Sequence, residues 1–508
     1  MSVRVRYAPS PTGSPHVGNV RTALFDYLLA RRFGGQFIIR LEDTDRTRFI
    51  EGCEEEILES LRYIGITWDE GPDVGGPNAP YRQSERKEAG LYEPIVKQLL
   101  ESGHAYYAFE TSEELTEMRE FQQINKQPTG YFGGNWRDAA PEKVAAAQAE
   151  GKPGVIRLRM PRDQRLVIQD AVRGRVEIDG STQDDPVLIK ADGMPTYHFA
   201  AMVDDHLMGI THVIRGEEWI SSAPKHVWLY EVLGWEQPMW VHVPVINGKD
   251  GKKLSKRHGD TRCLDYRDAG YVPGALANFI ALIGWAPGDD RELMSMEEMS
   301  SLFSVESLNG SPGIFDPDKL IWMNGHYLRA MDAATLRQTV LDYAKRPSTH
   351  AYWNEREEGA AMLAGLKLLV DAEAEGDPRL DAALRLEQER VTTLAEFGPA
   401  CAFFFAPQPE LDEKSVEKWF GEAHVAPLFA NLDQWLSEQG ENPTQAEIEA
   451  FLKSQVDVLG VGKLGPIVHP TRVAMTGRTY GPGLWELMEV LGRDRMHERI
   501  AHAQTLLR

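Results

Sequence analysis

Cysteine is scarce in this chain of 508 residues, which contains only Cys53, Cys263 and Cys401. These three residues lie more than a hundred positions apart, and the sequence has no Cys-x-x-Cys pair. The sequence therefore predicts neither a disulfide framework nor a cysteine-rich zinc site.

Long apolar runs are also missing. The most apolar stretch, residues 274–285, covers about a dozen positions and contains Asn278, which makes it too short to cross a bilayer. The amino terminus, MSVRVRYAPSP, has no apolar core of the length found in signal peptides. We therefore expect a cytoplasmic protein with no membrane partner.

Positive charge is in the minority, because 55 Lys and Arg face 77 Asp and Glu, for a net charge of −22. Such a chain repels phosphate on average, which excludes non-specific nucleic-acid binding but not a local basic groove. Hydrophobic residues make up 42% and charged residues 26% of the chain, an ordinary globular composition. At about 100–200 residues per domain, the length predicts roughly three to four domains.

The amino-terminal residues show the pattern of a parallel α/β sheet. Residues 3–7 alternate as a strand does, and a turn rich in proline and glycine follows. Ser14 is the expected N-cap of the next helix, with Pro15 at its first position. A second strand is predicted over 37–42 and a second helix over 51–64, which completes the opening of a parallel α/β fold.

Further along the chain the pattern changes twice. From about residue 103 it is typical of an α+β insertion, and the α/β pattern resumes near Tyr197. After about Met331 we find no good strand pattern, which predicts an all-helical last third. The strands expected after the first two cover 155–160, 166–172, 175–178, 210–215 and 241–246, and further helices cover 222–233, 360–375 and 485–508.

The first strand–turn–helix carries Arg6, Ser10, His16, Gly18 and Asn19. A helix that begins after a parallel strand presents free N–H groups to an anion. The glycine lets a flat base approach the backbone, and the histidine can donate to a phosphate oxygen. The alternative is a capped helix with an incidental histidine.

A second group of charged residues lies in GKDGKKLSKRHG, residues 248–259. Two glycines flank Lys252, Lys253, Lys256 and Arg257 directly after a predicted strand. Such a loop suits a polyphosphate whose charge grows during a reaction. The alternative is a solvated basic hairpin, and the string is not a Walker loop.

Together these motifs resemble the two signatures of class I aminoacyl-tRNA synthetases. His16-Val17-Gly18-Asn19 corresponds to His-Ile-Gly-His, and Lys253-Leu254-Ser255-Lys256-Arg257 corresponds to Lys-Met-Ser-Lys-Ser. The strings RYAPSPTG, RLEDTD, PTYHFA, VDDHLMG and VIRGEEW narrow the resemblance to glutamyl-tRNA synthetases of bacterial type. The resemblance is dense over residues 1–325 and looser over 326–508.

The resemblance implies a multidomain fold, with an α/β Rossmann-type catalytic core, an α+β insertion and an all-helical anticodon-binding part. The implied segments are the first half of the core (1–102), an acceptor-stem-binding insertion (103–196), the second half of the core (197–249), a stem-contact region with the KLSKR loop (250–330) and the helical anticodon-binding domain (331–508).

The resemblance also implies the site residues. His16, Lys253 and Lys256 are the expected catalytic residues. Glutamate is expected to be bound by Arg6, Ala8, Ser10, Glu42, Tyr197 and Arg215, and ATP by His16, Gly18, Glu218, Trp219, Lys253 and Lys256.

The chemistry of glutamate agrees with these assignments. Glu42 can accept from the ammonium group, and Arg215 can pair bidentately with the side-chain carboxylate, alongside Arg6. The alternative for Glu42 is an acidic loop at a strand end. The alternative for Arg215 is a structural salt bridge to Glu217 or Glu218.

Metal sites are not expected from the protein's own residues. Asp204, Asp205 and His206 are adjacent, but successive side chains on a helix point in different directions, so we predict a structural or RNA-facing role for them. Some relatives carry a zinc knuckle, whereas residues 104–115 here contain no cysteine. Some relatives also have Asn where Ala201 stands. We expect Mg²⁺ with ATP and no structural zinc.

The predicted function is that of a glutamate–tRNA ligase, which forms glutamyl-adenylate from L-glutamate and ATP and transfers the glutamyl group to the 3′ end of tRNA-Glu. The sequence leaves open whether tRNA-Gln is also a substrate. We expect a monomer. The alternatives are a glutaminyl-tRNA synthetase, a shortened paralogue that modifies a tRNA base, a catalytically inactive tRNA-binding protein and a small nucleotidyltransferase. The helical last third opposes the shortened paralogue, and the length opposes the nucleotidyltransferase.

Overall fold

The computed structural model describes residues 2–255, 257, 259 and 261–507, and it leaves out the side chain of Arg46. The chain divides into two compact units. The first contains Met1–Leu264 and Ala277–Asp316, and the second contains Asp265–Leu276 and Pro317–Arg508. Among the described residues, none of the helices combines the length and apolar character that a membrane span requires.

The strands described by the structure all lie in the first unit. They are β1 (Arg4–Tyr7), β2 (Gln36–Ile39), β3 (Ala105–Ala108), β4 (Val155–Leu158), β5 (Arg165–Asp170), β6 (Gly174–Asp179), β7 (Val187–Ile189), β8 (His212–Gly216), β9 (Met239–Val243), β10 (Ile246–Asn247) and β11 (Gly313–Ile314).

Parallel strand pairs form the centre of this unit. β1 pairs with β2, and β8 pairs with β9 in a register that sets Arg215 opposite His242. The backbone N–H of Thr211 donates to the carbonyl of Arg4 at 2.9 Å, which brings β8 beside β1. The carboxyl ends of β1 and β8 therefore lie at the same edge, where ligands bind in open α/β sheets.

The insertion has its own antiparallel sheet in the order β3-β4-β7. β5 and β6 form a hairpin, and β5 continues onto β9 through a single parallel pairing of Asp170 with Trp240. The insertion is therefore an α+β structure, as the sequence predicts.

Nine described α-helices belong wholly to the first unit. They are α1 (Val17–Arg32), α2 (Cys53–Tyr63), α3 (Gln83–Glu88), α4 (Glu93–Glu101), α5 (Ser112–Ile124), α6 (Pro141–Ala149), α7 (Tyr197–Leu207), α8 (Ala223–Leu233) and α11 (Met296–Leu302). Two further helices, α9 (Cys263–Asp268) and α10 (Pro273–Ala281), each have residues in both units.

Beyond β11 the described part of the chain contains helices and connecting turns, in agreement with the predicted all-helical last third. The helices are α12 (Pro317–Arg329), α13 (Ala333–Lys345), α14 (Pro347–Asn354), α15 (Gly359–Ala374), α16 (Leu380–Gln388), α17 (Phe397–Phe405), α18 (Glu413–Trp419), α19 (Val425–Glu438), α20 (Gln445–Val458), α21 (Gly465–Thr476), α22 (Leu484–Leu491) and α23 (Arg493–Gln504).

Three local predictions are wrong in detail. The strand expected over 241–246 divides into β9 and β10, because Pro244 lies between them and cannot donate a ladder hydrogen bond. The helix expected over 485–508 divides at Gly492, whose φ of 79° cannot continue a helix. His16, not Ser14, is the N-cap of α1, so Pro15 precedes the cap instead of occupying the first helical position. The Ser14 hydroxyl instead donates to Glu56 at 2.5 Å.

Candidate active site

A cavity of about 1040 Å³ opens at the carboxyl ends of β1 and β8, beside the amino terminus of α1. Its lining includes every described residue that the sequence analysis assigned to the site. These are Arg6, Ala8, Ser10, His16, Gly18, Glu42, Tyr197, Arg215, Glu218, Trp219 and Lys253. Lys256, the remaining predicted residue, lies outside the described residues.

A buried ion-pair network supports one end of the cavity. Arg6 Nε donates to Asp205 Oδ1 at 3.0 Å, and Arg40 Nη1 donates to the same oxygen at 2.7 Å. Arg40 Nη2 also donates to Glu42 at 3.1 Å. Arg6, Arg40, Glu42 and Asp205 are all at most 6% exposed. Because the four groups share hydrogen bonds out of water, their positions are fixed before any ligand binds.

Burial changes the protonation of Glu42. Desolvation raises the pKa of its carboxyl to about 7, although the positive charge of Arg40 opposes the shift. The group therefore takes up a proton close to neutral pH. A ligand ammonium beside it would favour the charged form and lower the pKa again.

Asp204 and Asp205 are both buried among cationic and polar side chains, and Arg40 lies close to each, at 3.8 Å from Asp204 and 2.7 Å from Asp205. Their surroundings favour the structural alternative of the predicted structural or RNA-facing role. Asp204 accepts from Arg86 at 2.6 Å, from Gln83 at 2.9 Å and from Tyr92 at 3.0 Å. His206 stacks on the indole of Trp235, with ring centroids 3.9 Å apart. In the part of the chain that the structure describes, no three His, Cys, Asp or Glu residues are grouped to hold a metal ion.

Arg215 is held in a different way. It is 5% exposed, and its Nε donates to His242 Nε2 at 2.9 Å while Nη1 lies 3.1 Å from His226 Nδ1. Its Nη2 is buried with no hydrogen-bond partner among the described residues. The salt bridge to Glu217 or Glu218 considered as an alternative is not formed, since Glu217 pairs with Arg173 and accepts from the N–H of Val245.

Aromatic rings form part of the cavity wall. The ring of Trp219 lies 4.4 Å from that of Tyr197, centroid to centroid, at an angle of 37°. Tyr197 begins α7, and Trp219 belongs to the short 3-10 helix Glu217–Ser222 that follows β8. This arrangement provides an apolar surface next to the polar groups.

The amino terminus of α1 forms the opposite end. The N–H of Gly18 donates to His16 Nδ1 at 3.0 Å, so the other ring nitrogen of neutral His16 carries the proton. His16 reaches solvent at the mouth of the cavity, yet partial desolvation by neighbouring protein atoms and the nearby positive charge of Lys253 lower its pKa, which keeps the ring neutral. A Cβ on Gly18 would lie 2.8 Å from the His16 ring, so the glycine makes room for this cap.

The residues on either side of the predicted cationic loop (248–259) lie close to the amino terminus of α1. The N–H of Leu254 donates to Ile246 at 2.8 Å, which closes a hairpin that puts Lys253 at the cavity. On the far side of the loop, the N–H of Val17 donates to Thr261 at 3.0 Å. Two motifs about 240 residues apart in sequence are thus joined by backbone hydrogen bonds.

Comparisons with known proteins agree with this geometry. Residues 2–322 match the family described as tRNA synthetases class I (E and Q), catalytic domain, and residues 354–504 match the anticodon binding domain. The glutamate–tRNA ligase of Acidothermus cellulolyticus is 42% identical over 515 aligned positions, which cover 100% of this chain and 96% of the relative. That of Desulforamulus reducens is 39% identical, with 99% and 100% covered.

The chain belongs to the glutamate–tRNA ligase family. A solved glutamate tRNA ligase of Elizabethkingia meningosepticum, in complex with its amino acid, has a TM-score of 0.88 and 36% identity over the whole of both chains. These matches confirm the predicted family, the multidomain fold and the predicted activity of a class I ligase that uses ATP. The boundaries of the five segments and the roles of single residues stay predictions.

Several residues of this cavity were not singled out from the sequence. Lys190 and Arg21 line it, and Arg40, His226 and His242 support its walls. Arg21 is 3% exposed and donates to the carbonyls of Pro244 and Ile283. The long-range partners of these residues, such as Asp205 for Arg40 and Asp170 for His242, are distant in the sequence, so no local pattern singled the residues out.

Proposed function

We propose that this cavity binds L-glutamate and ATP side by side, joins them as glutamyl-adenylate and passes the glutamyl group to the 3′ end of tRNA-Glu. The main observation behind the proposal is that two chemically different groups of side chains line the same cavity. Buried Arg215, with its free Nη2, lies at one end, and the amino terminus of α1 with His16 and Lys253 lies at the other. A dicarboxylic amino acid suits the first end, and a polyphosphate suits the second.

At the amino-acid end, the side chains match the three charges of glutamate. The carboxylate of Glu42 accepts from the ammonium group. Arg215 donates to the side-chain carboxylate, and Arg6, fixed by Asp205, adds positive charge. Ala8, Ser10 and Tyr197 line the remaining wall. Glutamine lacks the negative charge and would leave buried Arg215 without a full partner, which costs free energy.

At the nucleotide end, His16 and Gly18 bind ATP phosphates through the helix terminus, and Trp219 with Glu218 receives the nucleoside. The protonated ring nitrogen of neutral His16 donates to a phosphate oxygen. The α-carboxylate of glutamate then attacks the α-phosphate in line, and pyrophosphate leaves. Lys253 and Lys256 neutralise the charge that develops on the leaving group.

In the second step, a terminal ribose hydroxyl of tRNA attacks the mixed anhydride and AMP leaves. Neither step needs a covalent bond to the enzyme. In agreement, the three cysteines are buried and are absent from the residues that line the cavity in the described chain. Catalysis is then mainly positioning and electrostatic stabilisation.

Mg²⁺ is expected to arrive with ATP, because this ion keeps several waters and binds through substrate phosphates instead of an all-protein cage. The donor set fits such binding, since the described residues contain no group of three metal ligands. We expect no structural zinc. Elemental analysis of the purified protein tests this expectation, and stoichiometric zinc would contradict it.

Charging assays with purified tRNA-Glu and tRNA-Gln test the function directly. We expect glutamate to be attached to tRNA-Glu, and the second tRNA decides whether tRNA-Gln is also a substrate. Attachment of glutamine alone would identify a glutaminyl-tRNA synthetase. Light scattering tests our further proposal of a monomer, and cell fractionation tests the proposed cytoplasmic location.

Glutamate-dependent ATP–pyrophosphate exchange, with and without tRNA-Glu, tests a further step of the proposal. The carboxyl groups of Glu42, Asp43 and Asp45 lie close together in the sequence, and Glu42 and Asp45 line the cavity, so ATP alone is expected to adopt an unproductive pose. We expect exchange only with tRNA, whose binding must favour the competent state energetically. Equal exchange without tRNA would contradict this coupling, and no exchange under either condition would indicate a catalytically inactive tRNA-binding protein.

A further inference from the structure

A continuous hydrogen-bonded chain of side chains runs through Arg215 and includes His198, which is partly buried, and three buried residues, His226, His242 and Asp170. His198 contacts His226, His226 contacts Arg215, Arg215 contacts His242, and His242 contacts Asp170, with distances of 3.1, 3.1, 2.9 and 2.6 Å in that order. His226 and His242 are 0% exposed and Asp170 is 5% exposed. These histidines do not contribute to the chemistry described above.

The donor and acceptor roles in this chain follow from elementary chemistry. Arginine has only donors, so His242 Nε2 and His226 Nδ1 must both accept from Arg215. The proton of neutral His242 therefore lies on Nδ1 and is donated to Asp170, which also accepts from the backbone N–H of His242 at 3.1 Å. The proton of neutral His226 lies on Nε2 and is donated to His198. A carboxylate thus fixes one tautomer and a histidine the other.

The histidines stay neutral in this environment. Burial, reinforced by the positive charge of Arg215, lowers the pKa of His226 well below its usual value. Burial also lowers the pKa of His198 to about 4. A protonated imidazole would moreover have no lone pair for Arg215 and would repel it.

The hydrogen-bond partners of Arg215 are neutral imidazoles, whereas those of the neighbouring arginines Arg6 and Arg40 include a carboxylate. Arg6 and Arg40 pair with the carboxylate of Asp205, so much of their positive charge is compensated within the protein. In the described chain, Arg215 makes no ion pair with a carboxylate, and Trp240 covers it with a ring centroid 5.0 Å from the guanidinium carbon.

We propose that His226 and His242 are positioning residues that hold Arg215 as neutral acceptors, so that the cavity keeps an uncompensated positive charge that selects a carboxylate side chain over a carboxamide. The inference rests on the proposed role of Arg215 in glutamate binding. A carboxylate in place of either imidazole would hold the guanidinium equally well but would neutralise it, and the advantage of glutamate over glutamine would fall.

The decisive experiment compares His226→Asn with His226→Asp. Both side chains place an oxygen near the position of Nδ1, and they have nearly the same shape. The Asp carboxylate is negatively charged, whereas the Asn carboxamide is neutral. The readout is the ratio of kcat/KM for glutamate to that for glutamine in tRNA charging, with the KM for ATP as an internal control. We expect the Asp variant to lower this ratio at least ~10-fold relative to the Asn variant through the KM for glutamate, which is about 1.4 kcal/mol. Equal ratios in the two variants would overturn the inference.

A second pair of variants covers the case in which the Asp variant does not fold. His242→Gln retains an acceptor near the position of Nε2, whereas His242→Leu removes it. We expect the KM for glutamate to rise at least ~10-fold more in the Leu variant, a change of about 1.4 kcal/mol, with the KM for ATP unchanged in both. Equal effects would show that His242 acts by packing alone. Failure of the unaltered enzyme to charge glutamate would instead contradict the proposed function.

Discussion

At one end of the cavity Arg6, Glu42 and Arg215 are buried, whereas at the other end His16 and Lys253 are exposed. At the buried end, the charged side chains lose their water during folding, and carboxylates and imidazoles of the protein itself replace that water as hydrogen-bond partners. The exposed end leaves its cations in water until a polyphosphate arrives. Selection of the amino acid is thus built into the fold, whereas charge stabilisation at the nucleotide end depends on the substrate.

The largest effect that this comparison predicts concerns stability. Asp205→Ala removes the carboxylate shared by Arg6 and Arg40, and breaking a buried pair costs about 3–5 kcal/mol. We expect a clearly lower urea midpoint for the first unfolding transition. Lys253→Ala, at the exposed end, is the control and should leave the midpoint unchanged. Similar midpoints for both variants would contradict the distinction between the two ends.

The second prediction concerns specificity. Arg215→Ala should cost about 2–5 kcal/mol in kcat/KM for glutamate, as expected for truncation of one partner of a buried charge pair. Glutamine should lose much less, because it makes no ion pair with the guanidinium. Parallel assays with both amino acids measure the difference. An equal loss for both would assign Arg215 a structural role and place specificity elsewhere.

The third prediction concerns the exposed end. Lys256→Ala should slow adenylate formation by ~10²–10³-fold, the range for loss of one transition-state contact. Glutamate binding should change little, because the loop serves the pyrophosphate. Lys252→Ala is the matched control within the same loop, since Lys252 is absent from the residues that line the cavity in the described chain. A Lys256 variant within threefold of the unaltered enzyme would exclude this role.

The two ends also differ in how far the sequence predicted them. The motifs around His16 and Lys253 are short and local, and the sequence identified both, together with the strands before them. Arg40 and Asp205 are 165 residues apart, and His242 and Asp170 are 72 apart. No local pattern joins such pairs, so the acceptors of Arg6 and Arg215 became visible only in the folded chain.

The predicted boundaries of strands and helices were wrong where the backbone of a single residue interrupts the element. Pro244 divides a predicted strand and Gly492 a predicted helix, although both apolar patterns continue across these positions. The N-cap of α1 moved from Ser14 to His16 because the backbone of Pro15 and Val17 bonds to residues 261–263. That contact spans the predicted cationic loop, and a local capping preference cannot anticipate it.

The smallest expected effect is a pH dependence at the buried end. Because burial raises the pKa of Glu42 to about 7, the carboxyl becomes protonated as the pH falls through neutrality and loses its attraction for the ammonium of glutamate. Binding should therefore weaken as the pH falls, and it should be about tenfold weaker at pH 6 than at pH 8, following the ionised fraction of one group. Calorimetric titration of glutamate at several pH values measures the slope. The control is Glu42→Gln, which should bind more weakly and lose most of the pH dependence, since its side chain does not titrate. An unchanged slope in this variant would assign the titration to another group, and a flat profile in the unaltered enzyme would mean that Glu42 is already ionised in the empty cavity.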